Sequence, residues 1–325
     1  MIPNLVSTII PVYNRPSLLV EAVGSVLRQE YRPIEVIIVD DGSSDQQTPQ
    51  AAQDLALANP GIVKVVAQAN AGPGAARELG RQTAHGEFIQ YLDSDDVLLP
   101  GKFEAQVRAL KERPDADVAY GITYFRDESG RLHEKPHKET GKAIEAMFPT
   151  FLIARWWETA TPLYRASVCA RAGPWTNLRL EEDWEYDSRI ASLGGKLVWC
   201  PVPVCVHRDH AGERLSRGRG LDPIRLRDRT AAQSLIFRNA LRFGMTPTNP
   251  EMQLFSRSLF LLARQCGAAG LPKESERLFQ LSLQAAGNER SQGADYRLYA
   301  LLAYSIGWTA MGKLSAAFDW LRAAR

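Results

Sequence analysis

Apolar residues follow two rhythms along this chain. Near the N-terminus they form short, almost unbroken β-branched runs over 5–13 (LVSTIIPVY) and 34–39 (IEVIIV), each ending in turn-forming or acidic residues. Between these runs Leu18, Leu19, Ala22, Val23, Val26 and Leu27 recur at helical spacing. A strand that is apolar on both faces must be covered on both, so the pattern predicts a βαβ unit in a buried parallel sheet. The alternation continues with a helix over 46–58, a strand over 62–67, a helix over 74–84 and a strand over 87–92. A helix over 100–112, with Pro100 near its first turn, and a strand over 117–125 follow. The first 125 residues thus read as a nucleotide-binding kind of α/β domain.

Past this point the rhythm loosens. RDESGRLHEK, from Arg126, predicts a hairpin tip, and MFPTFLIARWWET, from Met147, is an aromatic run suited to lining a groove. A helix is expected over 182–193, then two short strands over 196–199 and 203–206. From Asp222 onward only helical spacing remains. LLARQCGAAGLPKESERLFQL from Leu261 aligns with LLAYSIGWTAMGKLSAAFDWL from Leu301, pairing Gly267 with Gly307 and Lys273 with Lys313. Such an internal repeat predicts two helical hairpins resembling tetratricopeptide units, too few to stand alone as a solenoid. The expected division is therefore 1–221 for the α/β part and 222–325 for an all-α region, the latter a candidate surface for a protein partner.

Composition narrows the classes of function. At 45% hydrophobic and 23% charged the 325-residue chain can bury a sizeable core. A net charge of +2 is too small to argue for nucleic acid as a partner. The four cysteines, Cys169, Cys200, Cys205 and Cys266, include no CxxC pair and read as reduced thiols. No basic leader precedes the first strand and no apolar run reaches the length of a membrane span, so a cytoplasmic protein is expected, with peripheral attachment at the inner face of the membrane left open.

The candidate chemistry lies at strand ends, where open α/β sheets bind ligands. The first strand ends in Pro11-Val12-Tyr13-Asn14 and the second in Asp40-Asp41-Gly42-Ser43-Ser44-Asp45. Tyr13 offers a ring for a base to stack on, and Asp41 an acceptor for the imide N–H of a uracil; read alone, the second segment would be only a turn with a helix cap. Asn70-Ala71-Gly72-Pro73-Gly74 then opens a helix, and helix N-termini favour anions, with Arg77 one turn in and within reach of a diphosphate. Asp93-Ser94-Asp95-Asp96 follows the strand over 87–92. Clustered carboxylates are costly unless neutralised, and a hard divalent cation, Mn²⁺ or Mg²⁺, is the natural partner. Asp96 is the member best suited to cap the helix after Pro100 instead.

In order and spacing, VSTIIPVYNRPSLL, IEVIIVDDGSSD, NAGPGAAR and YLDSDDVLLP resemble the motifs of family 2 glycosyltransferases over about residues 5–216. The resemblance implies the GT-A fold, a Rossmann-like, mostly parallel sheet flanked by helices. It implies a nucleotide-sugar donor site drawing on Pro11, Tyr13, Asn14, Asp41, Gly72, Arg77, Asp93 and Ser94. Asp93 and Asp95 would be the Asp-x-Asp pair, with His210 of His207-Arg208-Asp209-His210 as a further metal or diphosphate contact. After Gly173-Pro174-Trp175, the run Glu181-Glu182-Asp183 matches the family's Glu-Asp pair, with Asp183 as catalytic base and Glu182 its partner; the same run would also suit a helix N-terminus. An inverting transfer needs one such base, which takes the acceptor proton while the metal serves the leaving group. Two departures stand out: His207 replaces a tyrosine, and Glu78 follows Arg77 where the family has asparagine, to add charge near the nucleotide or to face solvent. The arginine-rich stretch 208–229 reads as a lid over the diphosphate or as a solvated basic helix.

The implied activity is transfer from a nucleotide-diphosphate sugar, UDP-linked by preference, to a hydroxyl of a carbohydrate, lipid-linked or protein-linked acceptor, as in polysaccharide or glycoconjugate synthesis. Trp156, Trp157, Trp175 and Trp184 are candidates for stacking on sugar faces or for the core. A sugar nucleotidyltransferase would carry a glycine-rich phosphate loop after the first strand, where this chain has Pro11-Val12-Tyr13-Asn14. A non-catalytic scaffold would have no need of Asp41, Asp93, Asp95 and Asp183 together. A zinc site at Cys205, His207 and His210 lacks a fourth ligand at a fitting spacing.

Overall fold

The computed structural model of the chain describes residues 1–210, 221–291 and 293–323. It divides into two compact units. The first takes in Met1–Met147, Arg155–Tyr186 and residues 193–210; the second takes in Phe148–Ala154, Asp187–Ser192 and residues 221–323.

The first unit is built on one mixed sheet. Its opening strands are β1 (Ile2–Val12), β2 (Ile34–Asp40), β3 (Val63–Ala67) and β4 (Gly86–Tyr91), connected through helices α1 (Pro16–Leu27), α2 (Gln47–Ala58) and α3 (Pro73–Thr83). They lie parallel in the order β3-β2-β1-β4, as the alternation predicted. Every residue of β2 is buried, which is why its sequence shows no polar alternation. On one face Val6, Ile10, Val36 and Ile38 pack with Leu19, Val23 and Val26 of α1. On the other, α3 lies close to the strands because Gly80 has no side chain: a Cβ there would come within 2.3 Å of Ile9 Cγ2 and 3.2 Å of Val39 Cγ2.

Beyond β4 the sheet changes character. After β5 (Val97–Leu98) and α4 (Lys102–Glu112) come β6 (Val118–Arg126) and β7 (Leu132–His133), which form the predicted hairpin. β8 (Leu163–Arg165) enters antiparallel between β4 and β6, and α5 (Ala166–Ala172) leaves it. Strands of two or three residues carry too little pattern to be read from sequence, and β5 and β8 were not. α6 (Glu182–Ser192) forms close to where it was expected. The two strands expected over 196–199 and 203–206 are instead one, β9 (Leu197–Arg208), parallel to β6. Its register shifts opposite Gly121, where a Cβ would meet Val204 and the Val202 carbonyl. Pro201 and Pro203 interrupt the apolar pattern there, but a bulge absorbs them and the strand continues.

The second unit is helical: α7 (Pro223–Phe243), α8 (Pro250–Ala268), α9 (Pro272–Ser291), α10 (Ala294–Ile306) and α11 (Trp308–Ala323). α8 and α9 form one hairpin, turning at Gly270, and α10 and α11 another, turning at Gly307; both glycines have positive φ. The hairpins therefore correspond in a different register from the one that matches Gly267 with Gly307. Gly267 lies inside α8, against Gly312 of α11. Among the described residues no helix is long and apolar enough to cross a membrane.

Candidate active site

Strand register brings the motifs together. Val12 of β1 lies opposite Asp40 of β2, so Tyr13-Asn14 leaves the sheet beside Asp41-Gly42. Asn14 has φ 51, a left-handed conformation that asparagine tolerates. Its Oδ1 accepts from Ser44 N (2.8 Å) and Asp45 N (3.2 Å), and its Nδ2 donates to Ser44 Oγ (2.9 Å). Asn14 thus ties the two loops together. Asp45 supplies the helix cap foreseen for this segment, its Oδ1 accepting from Thr48 N at 2.6 Å. Asp41 does a different job. Its carboxylate accepts from Gln68 Nε2 (2.7 Å), Ala71 N (2.9 Å) and Gly72 N (2.9 Å), which joins the second motif to the third. Two ionised oxygens have about four acceptor positions, so three bonds leave one for a ligand. The Tyr13 ring is 42% exposed at this mouth, whereas Pro11 is buried in β1.

The acidic turn is fixed from the far side of the sheet. β5 follows it directly and pairs antiparallel with β9, Val97 opposite Val206, so Asp96 and Asp95 meet His207, Arg208 and His210. Asp96 is buried, takes an ion pair from His207 Nδ1 (3.0 Å) and accepts from Arg208 N (3.0 Å). Burial raises its pKa, and His207 works against that rise. Asp96 does not cap α4, which begins at Gly101 with no side-chain cap. The residue fitted to that cap in sequence is a bracket between two strand ends. Asp95 contacts His210 Nε2 at 3.1 Å and Arg15 at 2.8 Å. Ligand oxygens of Asp93, Asp95 and Asp96 all lie within 4.8 Å of one another. With Asp96 committed to β9, Asp93 and Asp95 are the pair that fits a hard cation, and carboxylates suit Mg²⁺ or Mn²⁺. Ser94 is buried within the turn.

Arg77 joins this turn to α6. It is 3% exposed and donates to Asp93 Oδ1 (2.6 Å) and to Glu182 Oε1 (2.7 Å). Its guanidinium lies over the Trp175 ring at 4.9 Å, and Trp175 stacks in turn on Tyr186 at 4.1 Å. Sequence suggested an arginine reaching for a diphosphate; the structure holds it as a buried bridge between carboxylates. Glu78 does not face solvent; its side chain is largely buried. It pairs with Arg81 and accepts from Trp175 N at 3.2 Å, fixing the segment that carries the stacked ring.

Glu181 has φ 60, a strained conformation for a non-glycine residue, and aims the start of α6. Burial, then the neighbouring Asp183, pushes Glu182 up to about 7, with Arg77 opposing. Burial also works against charge on Asp183, but Arg155, then Arg77 and Lys138, outweigh it and hold its carboxyl below the usual range. Arg155 pairs with Asp183 Oδ2, which also accepts from Thr159 Oγ1 at 3.3 Å.

Side-chain bonds thus gather many of the residues proposed from sequence into three groups: Asn14, the Asp41 loop and Gly72; Arg77, Asp93 and Glu182; and His210 with Asp95. Sequence reading missed Arg15, Arg155 and Thr159. Arg15 directly follows Asn14, which was the available signal; Arg155 and Thr159 lay in the aromatic run and carried none. The four tryptophans do not offer four sugar platforms: Trp156, Trp157 and Trp175 are buried, and Trp184 is half-buried. Residues 211–220 of the arginine-rich stretch lie outside the described residues.

A parallel sheet switching to antiparallel strands, with carboxylates gathered at the strand ends, defines the GT-A class of fold. A family model described as Glycosyl transferase family 2 matches residues 7–170. The chain belongs to that family. Among relatives, it is 39% identical over 127 residues to glycosyltransferase GlyG of Streptococcus pneumoniae serotype 4, covering 39% of this chain and 41% of GlyG. It is 31% identical over 189 residues to an uncharacterized glycosyltransferase, EpsJ, of Bacillus subtilis, covering 56% of this chain and 53% of EpsJ. The chain thus spans about half or less of these relatives' lengths. Among solved structures, S. aureus TarS 1-349 in complex with UDP-GlcNAc has a similar fold, with a TM-score of 0.70 at 18% identity, covering 98% of this chain and 92% of that one. A mannosyltransferase from Pyrobaculum calidifontis in complex with GDP-Man and Mn²⁺ reaches a TM-score of 0.53 at 19% identity, covering 97% and 86%.

Proposed function

We propose that the chain is an inverting, divalent-metal-dependent glycosyltransferase. In this reading it moves a sugar from a nucleotide-diphosphate sugar, UDP-linked by preference, to an acceptor hydroxyl in polysaccharide or glycoconjugate synthesis. Tyr13 and Asp41 bind the base, with Pro11, Asn14 and Gly72 shaping the loops around it. Asp95, Asp93 and His210 hold Mn²⁺ or Mg²⁺, which when bound supplies positive charge to the departing diphosphate. Ser94 keeps the turn compact, and Arg77 keeps Asp93 and Glu182 together. Asp183 takes the proton of the acceptor hydroxyl as that oxygen attacks the anomeric carbon from the side opposite the leaving group. Glu182 beside it completes the carboxylate pair. The observation that carries this reading is the Arg77 fork, which joins the acidic turn to the start of α6. It supports a single cleft serving both cation and base. The relatives' names and the UDP-GlcNAc and GDP-Man complexes of the structural neighbours support the donor class. The helical region from residue 222 is assigned the role of contacting a protein partner through its two hairpins, in a protein working at the cytoplasmic side of the membrane.

The test is a hydrolysis and transfer screen over nucleotide-sugars with Mn²⁺, run alongside titration calorimetry with UDP. Asp183→Asn is expected to bind UDP with unchanged affinity and to lose turnover by 10²-fold or more, roughly the scale of a lost general base. Undiminished turnover in this variant overturns the base assignment. UDP binding indifferent to Mn²⁺ overturns the metal assignment.

A further inference from the structure

The aromatic segment around Arg155 has a use that the binding and metal sites do not account for. Arg155 and Thr159 both reach Asp183 Oδ2. Among the described residues, Asp183 Oδ1 accepts from the adjacent Trp184 N, at 2.7 Å. The Arg155 side chain is 7% exposed and that of Asp183 is 25% exposed, so the cation is shut in while the carboxylate keeps an open edge. The segment is anchored on both sides. Trp157 is fully buried against Tyr120, and Glu158 pairs with His137 Nε2 (3.0 Å) and Lys138 Nζ (2.8 Å).

Resting on the reading of Asp183 as the base, we propose that Arg155 is a positioning residue. It clamps Oδ2 through a charge-assisted bond and leaves Oδ1 as the oxygen that meets the acceptor hydroxyl. In the transfer step the hydroxyl oxygen forms its bond to the anomeric carbon and its proton passes to Asp183 Oδ1. The bond from that carbon to the diphosphate breaks, and its electron pair leaves with the nucleoside diphosphate. A carboxylate held ionised by a buried guanidinium is ready to accept that proton but is a weak base. The proton therefore moves late, once the forming bond has made the hydroxyl acidic. The other charged groups facing Asp183 are Arg77, Lys138, Glu158 and Glu182. Arg77 and Lys138 act in the same direction as Arg155, and Glu158 acts against it.

The experiment follows the Asp183 carboxyl directly. In full-length protein carrying ¹³C-carboxyl aspartate, its resonance is assigned by its loss in Asp183→Asn and titrated with acid. Arg155→Gln is expected to raise the titration midpoint by about 1–3 pH units, the effect of removing a close opposite charge. Arg155→Lys, which keeps the charge and loses the guanidinium, is expected to leave the midpoint low. UDP affinity with Mn²⁺ is expected to stay unchanged in both. An unmoved midpoint in folded Arg155→Gln overturns the proposal, and so does a midpoint raised as far in Arg155→Lys. Because this readout needs no turnover, it separates the two ideas: active Asp183→Asn would sink the base assignment whatever the midpoint of Arg155→Gln.

Discussion

At the scale of single residues, the buried guanidinium groups of Arg77 and Arg155 are paired with carboxylates, and breaking either pair leaves an uncompensated charge in the site. Lys102 is the contrast. It is fully buried, and its ammonium donates to a carbonyl, that of Thr161, at 2.8 Å. Burial pushes its pKa from 10.5 down to about 7. An unfolded chain would hold this proton up to about pH 10, so between pH 7 and 10 the unfolded state binds more protons and stability rises with pH. Lys102→Met is therefore expected to raise the urea midpoint at pH 7, by an increment that shrinks toward pH 10. A difference that is constant with pH would contradict this account.

At the scale of elements, the acidic turn depends on a two-residue strand. β5 fixes Asp95 and Asp96 against β9, so the placement of the proposed metal pair depends on strand pairing as much as on its own sequence. Asp95→Asn is expected to remove the Mn²⁺ dependence of UDP binding while leaving the fold intact, as read by calorimetry and circular dichroism. Retained Mn²⁺ dependence would move the cation to other ligands. The α3 contact makes a separate demand. Gly80→Leu would place a side chain where even a Cβ meets Ile9 and Val39. Overpacking of this kind costs about 1–3 kcal/mol, and the urea midpoint should fall accordingly. An unchanged midpoint would mean that α3 can shift at little cost.

At the scale of the whole molecule, the chain divides into two compact units. In the helical unit α8 and α11 approach closely at Gly267 and Gly312, where a Cβ on Gly312 would come within 2.3 Å of Ala268 N. Gly312→Leu is expected to push α11 off α8 and speed hydrogen exchange in α8 and α11. Amides of β1, β2 and β4 should stay protected, and equal loss of protection in both units would show that they unfold together.

The chain's own order determined much of this protein. Continuous β-branched runs separated by helical spacing fit a covered parallel sheet, and Tyr13, Asp41 and Asp93 follow its strands, at the ends where open α/β sheets bind ligands. Local pattern also located α6 and the helical region. Tertiary structure alone decided the partners. Glu78 turned to Arg81 and Trp175, Asp96 became a bracket rather than a cap, and Arg155 met Asp183 from a stretch that reads as aromatic lining. The physical reason is range. Periodicity and turn chemistry act over a few residues and are written in neighbours, whereas a buried ion pair joins groups whose separation in sequence carries no signal until the sheet has set the register.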